Sequence, residues 1–336
     1  MKKKLSLVMA WLMLLSILFT GCAQQTDTEQ TRSVVGIAWR ADTQSEFFTN
    51  VCRAIEAAGG SWVLLDEVKS PDFSYEAQGR LMDGTDETGA LSAAAAKYVR
   101  CNTWYGSNAE DAVSNISLVI FTGGEDISPS LYCTPETCSA NGEAGDYCAE
   151  RDVSDYLTMT YCLDNDIPVI GFCRGMQMLS VVSGAEMIAD IPTYFADFSV
   201  DYAYEHRNET TSPDAYRDYA SHSVQVAKDS HLYQMVQTET LTGCPSWHHQ
   251  AVKNVDNTLL TVTGYAETNG VSIIEAVERT DKAFAVGLQF HPEAAVVKHL
   301  DGAENEDDFM DYDTALSIFE WLVQLAANQP AVRAAA

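Results

Sequence analysis

The chain has 336 residues, 46% of them apolar and 20% charged, an ordinary composition for a globular protein with a sizeable core. Its formal net charge is −28. So acidic a surface argues against a nucleic-acid partner, because phosphate contacts need clustered Lys and Arg; it favours solubility and names no substrate.

Lys2, Lys3 and Lys4 precede an apolar run from Leu5 to Phe19, followed by Gly21-Cys22. A basic start, a short apolar stretch and a small residue at the cleavage point describe a secretory signal over residues 1–21. The cysteine directly after Gly21 makes this segment resemble a bacterial lipoprotein signal, in which Cys22 takes a diacylglycerol and becomes the new N-terminus. The alternative is an uncleaved membrane anchor, for which the run is short. Both readings place the protein on the extracytoplasmic face, with a membrane as partner. Residues 22–32 are polar without apolar period and read as a tether. The folded domain is expected over residues 33–326, with a disordered tail at 327–336.

Ser33 to Ala38 reads as a buried strand, and Glu46 to Ala58 as a helix with Phe47, Val51, Ile55 and Ala58 on one face. Gly59-Gly60 stops it. Trp62 to Leu65 is a second strand, so the chain opens strand–helix–strand, the signature of a parallel sheet. Pro71 to Asn115 is less regular, with a helix-favouring stretch from Ala90 to Val99. It reads as an excursion from the sheet near the substrate entrance. Ser117 to Phe121 is a buried strand running into Thr122-Gly123-Gly124. Glu150 to Leu163 reads as a helix, Ile167 to Gly171 as a strand and Arg174 to Ser183 as a helix closed by Gly184. Further strands are expected at Ser223–Ala227, Leu259–Gly264, Ile273–Val277 and Ala283–Gln289, and a last helix at Asp313–Ala326. The predicted fold class is α/β: one domain around a mostly parallel, doubly wound sheet with helices on both faces.

Of nine cysteines, Cys52 and Cys162 fall in expected helices and read as small buried residues. No pair has C-x-x-C spacing, so no metal site is expected. In an oxidising compartment at least one disulfide is expected among Cys101, Cys133, Cys138, Cys148 and Cys244.

Gly171-Phe172-Cys173-Arg174-Gly175 is the centre of the chemistry. A strand ends at Gly171, a helix starts after Cys173, and glycines flank the cysteine two residues away on either side. This is the strand-to-helix elbow that lifts a nucleophile over the end of a sheet, with Cys as the nucleophile. It sets the sulfur at a helix N-terminus, which favours an anion there. A second strand ends in His291-Pro292-Glu293. His291 can take the cysteine proton and return it to a leaving amine, and Glu293 can hold the other ring nitrogen. Gly123 and Gly124, with the Arg174 N–H, can converge on a substrate oxygen as an oxyanion hole. His222, starting a strand, reads as a satisfied structural histidine.

In this order the three pieces resemble the class I glutamine amidotransferase superfamily, and within it the gamma-glutamyl-gamma-aminobutyrate hydrolase family of cysteine peptidases. Thr122-Gly123-Gly124-Glu125-Asp126-Ile127-Ser128-Pro129-Ser130-Leu131-Tyr132 is similar to that family's T-G-G-x-D-x-x-P-x-x-Y. Arg151-Asp152 matches the start of the helix before the elbow, with Asp155 where the family has Glu. Trp247-His248-His249-Gln250-Ala251-Val252 is similar to its H-H-Q-A-V segment. The resemblance runs from Val34 to Val323 and thins over Pro71 to Asn115. It implies a flavodoxin-like sheet and hydrolysis of a gamma-glutamyl amide or isopeptide bond in a small-molecule substrate, through a thioester on Cys173, without cofactor or metal. Gln177 matches a position that contacts the glutamyl group, and His249 and Gln250 match a segment beside the site. A homodimer is compatible with this reading. The competing readings are a glutaminase subunit feeding a partner synthase and a non-catalytic binding lipoprotein.

Overall fold

The computed structural model describes residues 34–133, 145–210 and 218–329. Four parallel pairings build the centre of the sheet: β1 (Val34–Ile37) lies between β2 (Trp62–Leu64) and β3 (Ile116–Phe121), β4 (Val169–Phe172) follows β3, and β11 (Ala285–Leu288) follows β4. Beyond β11 the sheet continues antiparallel through β10 (Val271–Arg279), β9 (Leu260–Thr268), β6 (Ala220–Val226) and β7 (Thr240–Ser246). β5 (Glu186–Ile188) and β8 (Ala251–Asn254) pair with each other, and β8 pairs with β10. β5, β7 and β8 were not legible in sequence, being short or carrying Gly and Pro within the run.

The helices are α1 (Glu46–Ala57), α2 (Ala93–Asn102), α3 (Ala109–Ala112), α4 (Ala149–Asp164), α5 (Arg174–Val182), α6 (Ile191–Asp197), α7 (His231–Val236), α8 (Pro292–Asp301) and α9 (Tyr312–Asn328). β3 shows why two layers cover the sheet. Its residues are all buried, so alternate side chains must find apolar cover on opposite faces. Val119 and Phe121 pack with Val153, Leu157 and Leu179 of α4 and α5. Leu118 and Ile120 pack with Val51 and Ile55 of α1 and Ile318, Phe319 and Leu322 of α9. Each such side chain contributes about 1.5–3 kcal/mol of burial free energy, and the two clusters fix the sheet between the layers.

Three expectations are corrected. Phe47 is not on the buried stripe of α1: Phe48 takes that place with Val51 and Ile55, which leaves Phe47 free to face the candidate site. Residues 71–115 do not line the cavity described below. They form two β-bridges, Tyr75 to Leu81 and Thr85 to Leu91, and α2, and dock on the α4 layer. There Glu150 accepts from the Leu81 N–H and the Ser128 hydroxyl accepts from the Leu91 N–H. The last helix runs to Asn328, two residues into the expected tail. Met1 to Gly21, Cys22 and the tether lie outside the described residues. Among the described residues no helix is long and apolar enough to cross a membrane.

Of the cysteines expected to crosslink, Cys101, Cys148 and Cys244 are free thiols, and Cys138 lies outside the described residues. Cys244, on β7 beside β6, is fully enclosed in the core while Cys101 is exposed on α2, so the fold keeps those two sulfurs apart.

Candidate active site

Four neighbouring parallel strands, β1, β3, β4 and β11, deliver their carboxyl ends to one edge of the sheet, where open α/β folds bind ligands. Past β4 stands Cys173, the N-cap of α5, with φ 50° and ψ −104°. A β-substituted residue in that region carries strain of about 1–3 kcal/mol. The turn holds because Gly171 and Gly175 have no side chains: a Cβ on Gly171 would strike the Gly175 backbone, and one on Gly175 would strike the Phe121 carbonyl. The Cys173 N–H donates to the Leu288 carbonyl at 2.7 Å, tying the elbow to β11. The thiol is 5% exposed and lies 3.9 Å from the Trp247 carbonyl oxygen.

Past β11, His291 caps α8, whose first residue is Pro292. Proline suits that position because its missing N–H would have no helical partner. The turn brings Glu293 Oε1 to 2.7 Å from His291 Nδ1. Both side chains are fully buried. Phe47 and Tyr219 close on the imidazole at 5.2 and 5.3 Å between ring centroids. Burial alone would lower the His291 pKa, but the Glu293 carboxylate and the Cys173 sulfur outweigh it and push it up to about 10. His291 therefore holds a proton at neutral pH, and its Nε2 has no settled hydrogen bond among the described residues.

Past β3 come Gly123 and Gly124. Gly124 has φ +139°, and a Cβ there would strike the Arg151 guanidinium; a Cβ on Gly123 would come within 2.7 Å of His291 Cε1. Arg151 Nη2 donates to the Thr122 and Gly123 carbonyls at 2.9 and 3.0 Å, and Arg40 Nη1 donates to the Gly123 carbonyl at 3.2 Å. In a trans peptide the C=O and the following N–H point in opposite directions. Holding these two carbonyls against the arginines therefore turns the Gly123 and Gly124 N–H groups the other way.

The arginines are themselves anchored. Arg151 pairs with Glu125, and Arg174 bonds Asp155 and, at 2.5 Å, Asp152. Burial and the neighbouring Arg151 lower the Arg40 pKa to about 10, still charged at neutral pH. Glu125 would be raised by burial, but Arg151 and Arg174 hold it down at about 2. Arg174 thus spends its side chain on α4 and leaves only its backbone N–H for the site, while Asp155, in place of Glu, supplies one of its anchors.

A cavity of 280 Å³ opens here, with Gly124, Cys173, Arg174, Gln177, His249 and Gln250 in its wall. His291, Glu293 and Gly123 stand behind that wall. Gln177 Nε2 donates to the Gln250 carbonyl at 3.1 Å, which ties α5 to the segment before β8. His249 is held between Asp126 at 3.2 Å and Asp190 at 3.5 Å. Burial opposes its charge, but the two carboxylates raise its pKa overall. The cavity wall also carries Arg40, Asp42, Asp126, Asp146 and Arg207. Arg40 and Phe47 were missed as site residues; Phe47 reads locally as part of the apolar face of α1, and the signal available was only that Arg40 follows β1 at the carboxyl edge.

The family model of peptidase C26 matches residues 94–293. The chain belongs to that family. It is also 30% identical over 181 residues to the protein NtpR of Enterococcus hirae, a match that covers 54% of this chain and 68% of that one. A putative glutamine amidotransferase-like protein of Rickettsia prowazekii is 30% identical over 205 residues, covering 52% and 69%. The gamma-glutamyl-gamma-aminobutyrate hydrolase of Escherichia coli is 27% identical over 170 residues, covering 50% and 59%. The peptidase C26 match takes in Gly123, Gly124, Cys173, His291 and Glu293 and ends on the last of them. This member is a glutamine amidotransferase-like hydrolase, built on the α/β fold expected from its strand and helix pattern.

Proposed function

We propose that this peptidase C26 member hydrolyses a gamma-glutamyl amide or isopeptide bond, with Cys173 as nucleophile, His291 as acid and base, and Glu293 as the group that orients His291. The observation that carries this reading is the buried His291–Glu293 pair on the strand beside the Cys173 elbow. His291 holds the proton drawn from the thiol, and the sulfur attacks the side-chain carbonyl carbon of the glutamyl group. Negative charge collects on the carbonyl oxygen, and the backbone N–H groups of Gly124 and Arg174 receive it. The C–N bond breaks, His291 gives its proton to the departing amine, and a thioester remains. Water then yields a proton to His291 and attacks the thioester. The C–S bond breaks, releasing the glutamyl carboxylate and returning the sulfur. No cofactor enters these steps.

Two features support a glutamyl substrate. The cavity is the size of a small molecule, and its wall bears Arg207 together with Asp42, Asp126 and Asp146. Charges of both signs suit an α-amino acid end that carries both. Gln177, His249 and Gln250 then shape the wall that meets the glutamyl chain. Steady-state release of amine from a panel of gamma-glutamyl amides, with intact-mass detection of a glutamyl adduct on Cys173, tests the reading. The hydrolase releases amine without a partner. Ammonia release that requires an added synthase supports a glutaminase subunit instead, and binding without release supports a non-catalytic lipoprotein.

A further inference from the structure

His206, His222, His248 and Glu275 meet on the antiparallel side of the sheet, and His248 also stands in the cavity wall. They come from the segment before residue 210, from β6, from the connection between β7 and β8, and from β10. His206 Nδ1 lies 3.1 Å from Glu275 Oε1, His248 Nε2 3.6 Å from the same oxygen, and His222 Nε2 3.5 Å from Oε2. One atom from each of the four can be chosen so that all lie within 4.8 Å of one another. All four side chains are at least nine-tenths buried. Yet His206 Nδ1, His222 Nε2, His248 Nε2 and both Glu275 oxygens lack a hydrogen bond to any described group.

The outer faces of two rings fix what the inner faces offer. His248 Nδ1 lies 2.8 Å from the Gln250 carbonyl, and His222 Nδ1 3.5 Å from the Ser223 carbonyl. A carbonyl only accepts, so in the neutral ring the proton sits on Nδ1 and Nε2 presents a lone pair. Two buried lone pairs then face a buried carboxylate whose oxygens have no hydrogen-bond donor among the described groups. That arrangement is costly for the protein alone and is the donor set of a metal centre, with backbone carbonyls orienting the ligating rings from outside.

We propose that His206, His222, His248 and Glu275 form a closed binding site for a divalent first-row transition metal, zinc being the ion it fits best. Three imidazoles and one carboxylate suit that group of metals over Mg²⁺ or Ca²⁺, which take oxygen ligands. Zinc in such a set has bonds of about 2.0–2.2 Å, so tetrahedral donors stand roughly 3.3 Å apart; the four donors here need only draw inward. With four protein ligands the site is structural, not a place for substrate. Its effect reaches the cavity through sequence neighbours of His248: the Trp247 carbonyl touches Cys173, and His249 and Gln250 line the wall. The ligands are scattered across 70 positions of the chain with no motif spacing, so sequence inspection for paired cysteines and histidines does not find them, and His222 is not the satisfied histidine expected from its strand position.

Metal content and cobalt spectroscopy on the full folded chain test the site. The protein is stripped with a chelator, its accessible thiols are alkylated, and one equivalent of zinc is returned. About one zinc per chain should remain after desalting, with a higher Tm than the stripped protein. Cobalt in its place should give tetrahedral ligand-field bands without the charge-transfer absorption of a thiolate. Glu275→Gln and His206→Ala should each lower zinc retention at least roughly tenfold. The proposal is overturned if the stripped wild-type protein retains no zinc, if cobalt reports sulfur ligation, or if both variants retain zinc as the wild type does. Because wild-type uptake decides by itself, a variant that fails to fold does not shield the proposal. Uptake is also measured without reference to turnover, so an inactive protein that still binds zinc on these residues separates this site from the hydrolase assignment.

Discussion

Arg151 holds the Thr122 and Gly123 carbonyls with a single guanidinium nitrogen, at 2.9 and 3.0 Å. Those two bonds set the direction of the N–H groups on the far side of each peptide, and one residue of α4 thereby aims donors that lie past β3. Arg151→Lys keeps a positive charge, but one ammonium replaces the two nitrogens that separately hold the carbonyl pair and Glu125. kcat should fall about 100-fold, the range seen when one oxyanion donor is lost, with KM little changed. Steady-state kinetics with circular dichroism to verify folding checks this. An unchanged kcat in a folded variant means the peptides hold their direction without Arg151.

Cys173→Ala and His291→Ala should each reduce turnover by roughly 10³-fold or more, as expected for members of one cooperating set. Combining them should cost little beyond either alone. Cys173→Ala also relieves no backbone strain, since alanine meets the same positive φ. Amine release by each variant is the measurement, and a Cys173→Ala protein that keeps a tenth of wild-type turnover removes Cys173 from the mechanism.

The pH dependence follows from His291. Its pKa is raised from 6.5 to about 10 in the folded chain. Its contribution to stability is therefore complete below about 6.5 and is lost as pH rises through about 10. As the acid that protonates the amine it should set the alkaline limb of kcat/KM near the same pH. Glu293→Gln removes the carboxylate that raises the pKa, so the alkaline limb should move toward neutral pH, with a smaller loss of rate than His291→Ala. A limb that stays in place in Glu293→Gln argues that Glu293 does not control this proton.

Lipid attachment at Cys22 remains a proposal from sequence. Intact-mass analysis of the membrane fraction should find an N-terminus at Cys22 carrying a diacylglyceryl group. A mature protein that retains Met1 speaks for the uncleaved anchor, and one that begins beyond Cys22 speaks against both.

The elbow glycines, the strand-ending His-Pro-Glu and the apolar strands were legible because each is local. Gly171 and Gly175 answer to a turn of five residues, and the period of Val119 to Phe121 answers to its two covered faces. The arginine anchors of the Thr122–Gly124 segment were not legible: Arg40, Arg151 and Arg174 sit in three elements, and nothing near them in sequence says that their guanidinium groups share Glu125, Asp152 and Asp155. Phe47 was misplaced for a related reason, since a helix stripe assigns faces only to within about one residue.

Sequence by itself determined which residues could supply a nucleophile, a base and an orienting carboxylate, because those demand particular side chains on particular turns. It also determined that strands and helices alternate around a buried sheet. Tertiary structure decided which of these turns stand side by side: β1, β3, β4 and β11 are adjacent only after folding, when hydrophobic cover on both faces fixes their order. It also decided what surrounds them, from the arginines behind the Gly123 and Gly124 peptides to the histidines that converge on Glu275. Charges and lone pairs act through distance in space, and residues far apart in the chain acquire that distance only when the sheet closes.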